Sequence, residues 1–150
     1  GISSQLFDSV AAVRPVSISD FDQRIHAVQQ FQALPEAEAL AAANKRIRNI
    51  LKKVETPVSD TVNPDLLTDA AEKSLYSQLS EMQHQVRPLL DSGDYASILK
   101  ALAALRDNVD RFFDDVMVMV DDEAVRNNRL ALLNQLNLLF LKVADISRLQ

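Results

Sequence analysis

The sequence has no cysteine, no tryptophan and only two glycines. Without cysteine there is no disulfide framework, no thiolate metal site and no cysteine nucleophile, which fits a reducing compartment. Sheet-rich folds need many tight turns, and glycine serves most of them. Because Gly93 is the one glycine inside the chain, we predict an all-α protein, a helical bundle of about five helices joined by a few short connections.

Long apolar runs and a uniform basic surface are absent as well. No apolar run reaches the roughly 18 residues that a membrane helix needs, and residues 1–5 do not begin a signal peptide. The net charge is −5, from 16 Lys+Arg against 21 Asp+Glu, which excludes the basic coat of many nucleic-acid binders. We therefore predict no membrane partner and a cytoplasmic location. The 150 residues, which lack an initiator methionine, predict one domain over 1–150, excised from a longer chain.

Apolar residues at spacings of three and four, bounded by prolines and capping residues, predict the helices. They cover about 2–13, 19–34, 36–54, 64–88, 95–119 and 121–146. Pro35 either begins a helix or kinks a continuous one. Asn63 and Asp94 are the predicted caps of the fourth and fifth segments, and the stripe of the fifth continues to Met119. The last segment is apolar on nearly all sides, which predicts a place at the centre of the bundle.

Residues able to carry out catalysis are few. Glu81 and His84 match the Glu-x-x-His element of di-iron bundles, but such a site needs a second element and further inward carboxylates. The acidic run over 107–123 lacks the spacing of a calcium loop and is typical of a solvated helix face. One internal glycine also excludes a glycine-rich phosphate loop. We predict no catalytic residue, no metal site and no cofactor in this chain.

A basic segment lies between residues 44 and 53, where five basic residues occur without an acid. On a helix they fall opposite the apolar positions Leu40, Ile47 and Val54. Lysine and arginine that neutralise phosphates drive RNA affinity independently of sequence. The alternative is a solubilising face near a helix C-terminus, where cations suit the helix dipole. The candidate RNA-binding residues of this segment are Lys45, Arg46, Arg48, Lys52 and Lys53.

A second polar cluster, residues 126–129, lies one turn inside the last predicted helix. Arginine and asparagine bind phosphate and also hydrogen-bond the base edges of unpaired RNA. The structural alternative, which spacing slightly favours, is that they clamp the acidic residues at 121–123 or cap a neighbouring helix. We predict Arg126, Asn127 and Arg129 as candidate RNA contacts. A function of another class, a protein-interaction bundle that docks a partner helix on the Phe112/Met119 stripe, is weaker because folding already needs that stripe.

Four segments resemble one family. Residues 107–119 (DNVDRFFDDVMVM), followed by 126–133 (RNNRLALL), closely resemble the C-terminal end of the bacterial glycyl-tRNA synthetase β subunit family. Residues 43–51 (ANKRIRNIL) and 143–147 (VADIS) are similar to the same family. Residues 107–119 and 126–133 together are specific to this family, whereas either segment alone is only moderately specific. The alternative is the related all-helical anticodon-binding domain, of the DALR type, found in arginyl-tRNA synthetases.

The resemblance implies a domain that binds the anticodon region of glycine tRNA. In that family a separate α subunit uses ATP and Mg²⁺ to charge the tRNA, and α and β assemble into a heterotetramer. The implied partners are glycine tRNA, the α subunit and the rest of the β subunit, with no DNA and no catalysis in this fragment. We expect the basic segment to hold phosphates of the anticodon stem-loop, the 126–129 cluster to approach it, and the acidic face over 107–115 to point away from the RNA.

Overall fold

The computed structural model describes residues 2–150, which form α-helices and short 3-10 turns and contain no strand. The α-helices are α1 (Ser4–Ala11), α2 (Ile18–Gln32), α3 (Ala37–Lys52), α4 (Ala70–Asp91), α5 (Tyr95–Leu102), α6 (Arg106–Asp115) and α7 (Glu123–Leu141). The 3-10 turns are Pro64–Leu66, Ala103–Leu105 and Ile146–Leu149. The predicted all-α bundle is confirmed. None of these helices is both long and apolar enough to span a bilayer.

The structure settles two predicted boundaries, one at Pro35 and one at the start of the fourth predicted helix. Pro35 separates two helices, since α2 ends at Gln32 and α3 begins at Ala37. Asn63 caps only a 3-10 turn, so the prediction that it begins the fourth α-helix is wrong. That helix begins at Ala70, because Asp69 and Glu72 form a capping box that satisfies two backbone donors reciprocally.

The predicted helix over 95–119 is shorter and interrupted. A 3-10 turn, Ala103–Leu105, joins α5 to α6, and α6 ends at Asp115. Val116 has extended backbone, and beyond it Val118 is buried while Met119 is 55% exposed. This alternation is the period of an extended segment, which β-branched valines favour. The prediction that Met119 continues the helical stripe is therefore wrong.

The core packs α3 and α7 against each other and against their neighbours. Leu40 and Ile47 are fully buried on α3, which contacts α6, α7 and the C-terminal turn Ile146–Leu149. In α7 every residue from 128 to 133 is buried, and this helix also packs against α4. It ends at Leu141 rather than Ile146. That α7 forms the centre of the bundle stays a prediction.

A half-buried polar cluster ties α2 to the end of α7 and to α5. Arg24 donates hydrogen bonds to the carbonyl oxygens of Lys142 and Val143, both at 2.8 Å, and pairs with Asp20 at 2.9 Å. The hydroxyl of Tyr95 donates to the Asp20 carboxylate. Burial alone would raise the pKa of Asp20, but hydrogen bonds from Tyr95 and Arg24 outweigh it and lower that pKa below 3.8. Burial, then the hydrogen bond to Asp20, raises the pKa of Tyr95 above 10.0.

Candidate nucleic-acid interface

The C-terminal half of α3 and the residue that follows it present three lysines to solvent. Lys45, Lys52 and Lys53 are exposed, and Asn49 is exposed on the same helix. None of the ion pairs formed by residues 2–150 includes these lysines. We call the three lysines the lysine face. Its charge is free to meet an anion, since no carboxylate of the described chain neutralises it.

Arg48 lies at one edge of the basic segment and is partly neutralised. Its guanidinium is 3.5 Å from the carboxylate of Asp145, which is 4% exposed. Arg148 pairs with the same carboxylate at 3.1 Å, and the Asp145 side chain also accepts from the backbone N–H of Ser147. Arg48 therefore fastens α3 to the C-terminal turn, and less of its charge is available to a ligand than that of the lysines.

Arg46 lies at the opposite edge, where α3 meets α6. Its guanidinium carbon is 4.4 Å from the centre of the Phe113 ring, a cation–π contact. A shallow groove of about 500 Å³ opens beside this pair; its lining residues are Ala39, Ala42, Ala43, Arg46, Asp110, Phe113 and Asp114. The alanines leave room for α6 to lie beside the basic segment. Asp110 and Asp114 thus border the basic segment at Arg46. That the acidic face over 107–115 points away from a bound RNA stays a prediction.

The second candidate cluster is built differently, because its central arginine is inside the protein. Arg129 is only 9% exposed and pairs with the fully buried Glu72 at 3.0 Å. It also donates to the carbonyl oxygen of Met117 at 2.5 Å. The pair joins α7 to the first turn of α4, where the same Glu72 oxygen accepts from the backbone N–H of Asp69. Arg129 is thus no surface contact, and its partner is Glu72 rather than the acidic residues at 121–123.

The neighbours of Arg129 hold loops in place. Arg126 is half-buried and donates to the carbonyl oxygens of Val120 and Asp121 at 3.1 and 3.4 Å. Asn128 is buried; its side chain donates to the carbonyl oxygen of Asn63 and accepts from its N–H, at 3.0 and 2.7 Å. Asn127 is exposed, beside the loop that follows α3. Of the three candidates in this cluster, Asn127 alone has an exposed side chain in the described chain.

The loop between α3 and α4 is held by side chains that sequence reasoning missed. Asn134 donates to the carbonyl oxygens of Val58 and Ser59, both at 3.4 Å, and Gln135 donates to that of Asp60 at 2.7 Å. The available signal was the presence of amides inside an otherwise apolar helix, since an amide that is removed from water even in part needs a partner.

The histidine and carboxylate pair singled out for metal chemistry is on the surface. Glu81 and His84 are both exposed on α4. Across residues 2–150, no three side chains of His, Cys, Asp or Glu lie close enough together to hold a metal ion.

Comparison with known proteins places the chain in a family of domains and finds named relatives. The model of the DALR anticodon binding domain family matches residues 40–146, and the chain belongs to this family. Among curated relatives, the protein of Marinobacter nauticus is 56% identical over 99% of this chain, and those of Shewanella baltica and Aeromonas hydrophila are 55% identical over 100% of it. Each is named glycine–tRNA ligase beta subunit, and the chain spans 22% of the length of each.

Proposed function

We propose that this domain binds the anticodon stem-loop of glycine tRNA, as the tRNA-binding part of a glycine–tRNA ligase beta subunit. The family supports anticodon binding, and the names of the relatives support glycine as the amino acid. The observation that carries the proposal is the lysine face. Three exposed lysines without carboxylate partners are clustered within residues 45–53 of a chain of net charge −5.

The lysine face would act on the RNA backbone. Lys45 and Lys52 are two turns apart, about 10 Å along the axis of α3, so they reach different phosphates. Each phosphate that a lysine neutralises releases condensed counterions, which makes the affinity fall as salt rises. Arg46 and Asn127 would add two exposed side chains to the contacts that the lysine face makes. The fold around this face is stabilised by Arg126, Arg48 and Arg129.

The domain itself would do no chemistry. In the proposed ligase, ATP and Mg²⁺ act on the α subunit, and this domain contributes by holding one end of the tRNA so that the other end reaches the catalytic site. The α subunit and the rest of the β subunit are the proposed protein partners, and the cytoplasm is the proposed location.

The test is a filter-binding titration of the chain with glycine tRNA across a series of salt concentrations. We expect the variant Lys45→Gln/Lys52→Gln to weaken binding and to reduce the slope of log affinity against log salt by about 0.7 to 0.9 per lysine. Its free energy of unfolding should change by less than about 0.5 kcal/mol, because these lysines have no partner in the fold.

The matched control removes the same charge elsewhere. Lys73 on α4 and Lys100 on α5 are also exposed, so Lys73→Gln/Lys100→Gln should leave the salt slope close to that of the unmodified chain. If both double variants reduce binding equally, the lysine face is not the site. Binding that is insensitive to salt would overturn the electrostatic mechanism itself.

A further inference from the structure

We propose that an apolar patch on α1 and α2 binds the rest of the β subunit chain, through an apolar segment of that chain that also carries lysine or arginine. The patch is formed by Phe7, Val16, Ile18 and Phe21, and we call it the docking patch. The inference rests on the proposed function, because it takes this chain to be one part of a β subunit. It goes further by naming the surface through which the two parts meet.

The docking patch exposes large apolar side chains that are neighbours of one another. Val16 is 94% exposed, Ile18 is 82% exposed and Phe7 is 50% exposed. The rings of Phe7 and Phe21 are in contact, with centroids 5.2 Å apart, and Ile18 precedes Phe21 by one turn of α2. Val16 lies two residues before Ile18. The four residues thus form one surface rather than scattered exposures, and contiguous apolar surface of this kind marks an interaction site.

The start of α2 leaves an apolar position open. Ser17 is the N-cap of this helix, so Val16 and Phe21 occupy the two positions whose side chains pack together in a hydrophobic staple. Here Phe21 packs against the ring of Phe7, and Val16 is almost fully exposed to water. The helix therefore begins with an apolar side chain that residues 2–150 leave uncovered, which is expected where another surface covers it.

The surroundings of the docking patch are acidic, which indicates the charge of its partner. A shallow hollow of about 620 Å³ opens beside Ile18 between α2 and the start of α5, and Asp22 and Asp94 line it. No lysine or arginine among residues 2–150 lines the hollow, and neither aspartate belongs to an ion pair formed by those residues. A carboxylate border repels RNA phosphates and complements basic side chains. A second copy bound through the same patch would bring two acidic borders together, since a twofold interface uses one surface on both partners.

The place of the patch in the sequence favours a β subunit as the source of the partner segment. The match to the anticodon-binding family begins at residue 40, so α1 and α2 precede it. The β-subunit relatives match 99% to 100% of this chain and therefore include both helices. The docking patch thus belongs to a part that the chain shares with β subunits but that the family model does not cover. Because the chain spans 22% of the length of these relatives, most of a β subunit lies outside it and is available to supply the segment.

The experiment is hydrogen–deuterium exchange, followed by mass spectrometry, on this chain alone and within the full-length β subunit. We expect the backbone amides of α1 and of the first two turns of α2 to exchange at least about 10-fold more slowly in the full-length subunit, because a covered patch suppresses local opening. Val16→Ser/Ile18→Ser should return these amides in the full-length subunit to within about 2-fold of their rates in the chain alone. The same variant should leave the urea midpoint of the chain alone unchanged, since both side chains are exposed.

Met117→Ser/Met119→Ser is the matched control, because it removes two exposed apolar side chains from the connection between α6 and α7. It should leave the slow exchange of α1 and α2 in the full-length subunit unchanged. Equal exchange rates in the chain alone and in the full-length subunit would overturn the inference and leave the proposed function intact.

Two other results would also overturn the inference by assigning the patch to a different partner. Exchange that slows only as the concentration of the chain rises would indicate a second copy, and exchange that slows only on addition of the α subunit would indicate that subunit. If the lysine-face variant binds RNA as well as the unmodified chain does while the docking patch is protected, the RNA-binding part of the proposed function fails and this inference stands.

Discussion

Two polar clusters that the sequence offers as candidate RNA contacts have opposite positions in this molecule. The lysine face on α3 is exposed and unpaired, whereas Asn128 and Arg129 on α7 are buried and bonded to other elements. The difference comes from the residues around them. On α3 the apolar side chains form one stripe, so the opposite side is free for charge. On α7 apolar side chains lie on nearly all sides, and the polar residues among them are carried inside.

A buried charge is tolerated only with a partner, and the partner decides what the residue does. Removing an ion from water costs several kcal/mol, which pairing and hydrogen bonds must offset. Arg129 is paired with Glu72 and with a backbone carbonyl through its two terminal nitrogens, so these donors are directed to the fold. Residue type alone therefore does not distinguish an exposed cation from a structural clamp; the apolar pattern around the residue does.

The largest effect should follow from breaking the buried pair. Glu72→Ala leaves the guanidinium of Arg129 buried without its counter-charge and removes the capping box of α4, so we expect a loss of about 3 to 5 kcal/mol in the free energy of unfolding. Urea denaturation followed by circular dichroism measures it. The double variant Glu72→Leu/Arg129→Met removes both charges and should recover much of the loss. A loss below about 1 kcal/mol in Glu72→Ala would show that the buried pair contributes no more to the free energy of unfolding than exposed residues do.

The buried pair also marks the limit of sequence-based prediction for the fold. The apolar stripe of the predicted 95–119 segment follows from local spacings of three and four residues, and its member Phe112 is fully buried. Glu72 and Arg129 are 57 positions apart, and no local spacing joins them. Met119 was misplaced because alternating valine and methionine fit both a helical stripe and an extended strand-like segment.

For the candidate site, sequence predicted the lysine face but not what borders it. The basic residues of α3 were identified by their side of the helix, which is a local property. That Arg46 lies over Phe113, and that Asp110 and Asp114 share its groove, depends on how α3 and α6 pack. Charge runs that are distant in sequence are therefore brought together by the core rather than by their own pattern.

A smaller loss should follow from removing the buried amide of Asn128. Asn128→Ala removes two hydrogen bonds to the backbone of Asn63, each of which contributes about 0.5 to 1.5 kcal/mol, so we expect a loss of about 1 to 3 kcal/mol. Its neighbour provides the control, because Asn127 is exposed and Asn127→Ala should change stability by less than about 0.5 kcal/mol. Thermal and urea unfolding of both variants measure the difference. Equal losses would contradict the division of this cluster into buried and exposed members.

The smallest effect should come from Asp20, a half-buried carboxylate. Its exposure lies between that of the lysine face and that of the buried pair of Glu72 and Arg129. Because hydrogen bonds from Tyr95 and Arg24 lower its pKa below 3.8 in the folded protein, its ionised form contributes stability that is present above the unfolded pKa and is lost as the pH falls through the folded pKa. The stability difference between the unmodified chain and Asp20→Asn should therefore be constant at neutral and mildly acidic pH and shrink below 3.8. Urea unfolding at a series of pH values measures it, with Tyr95→Phe expected to reduce the same difference by removing one of the hydrogen bonds. If the stability difference between the unmodified chain and Asp20→Asn does not change with pH, the Asp20 carboxylate is no better paired than one on the surface. Pairing would then not increase with burial from the lysine face through Asp20 to the buried pair.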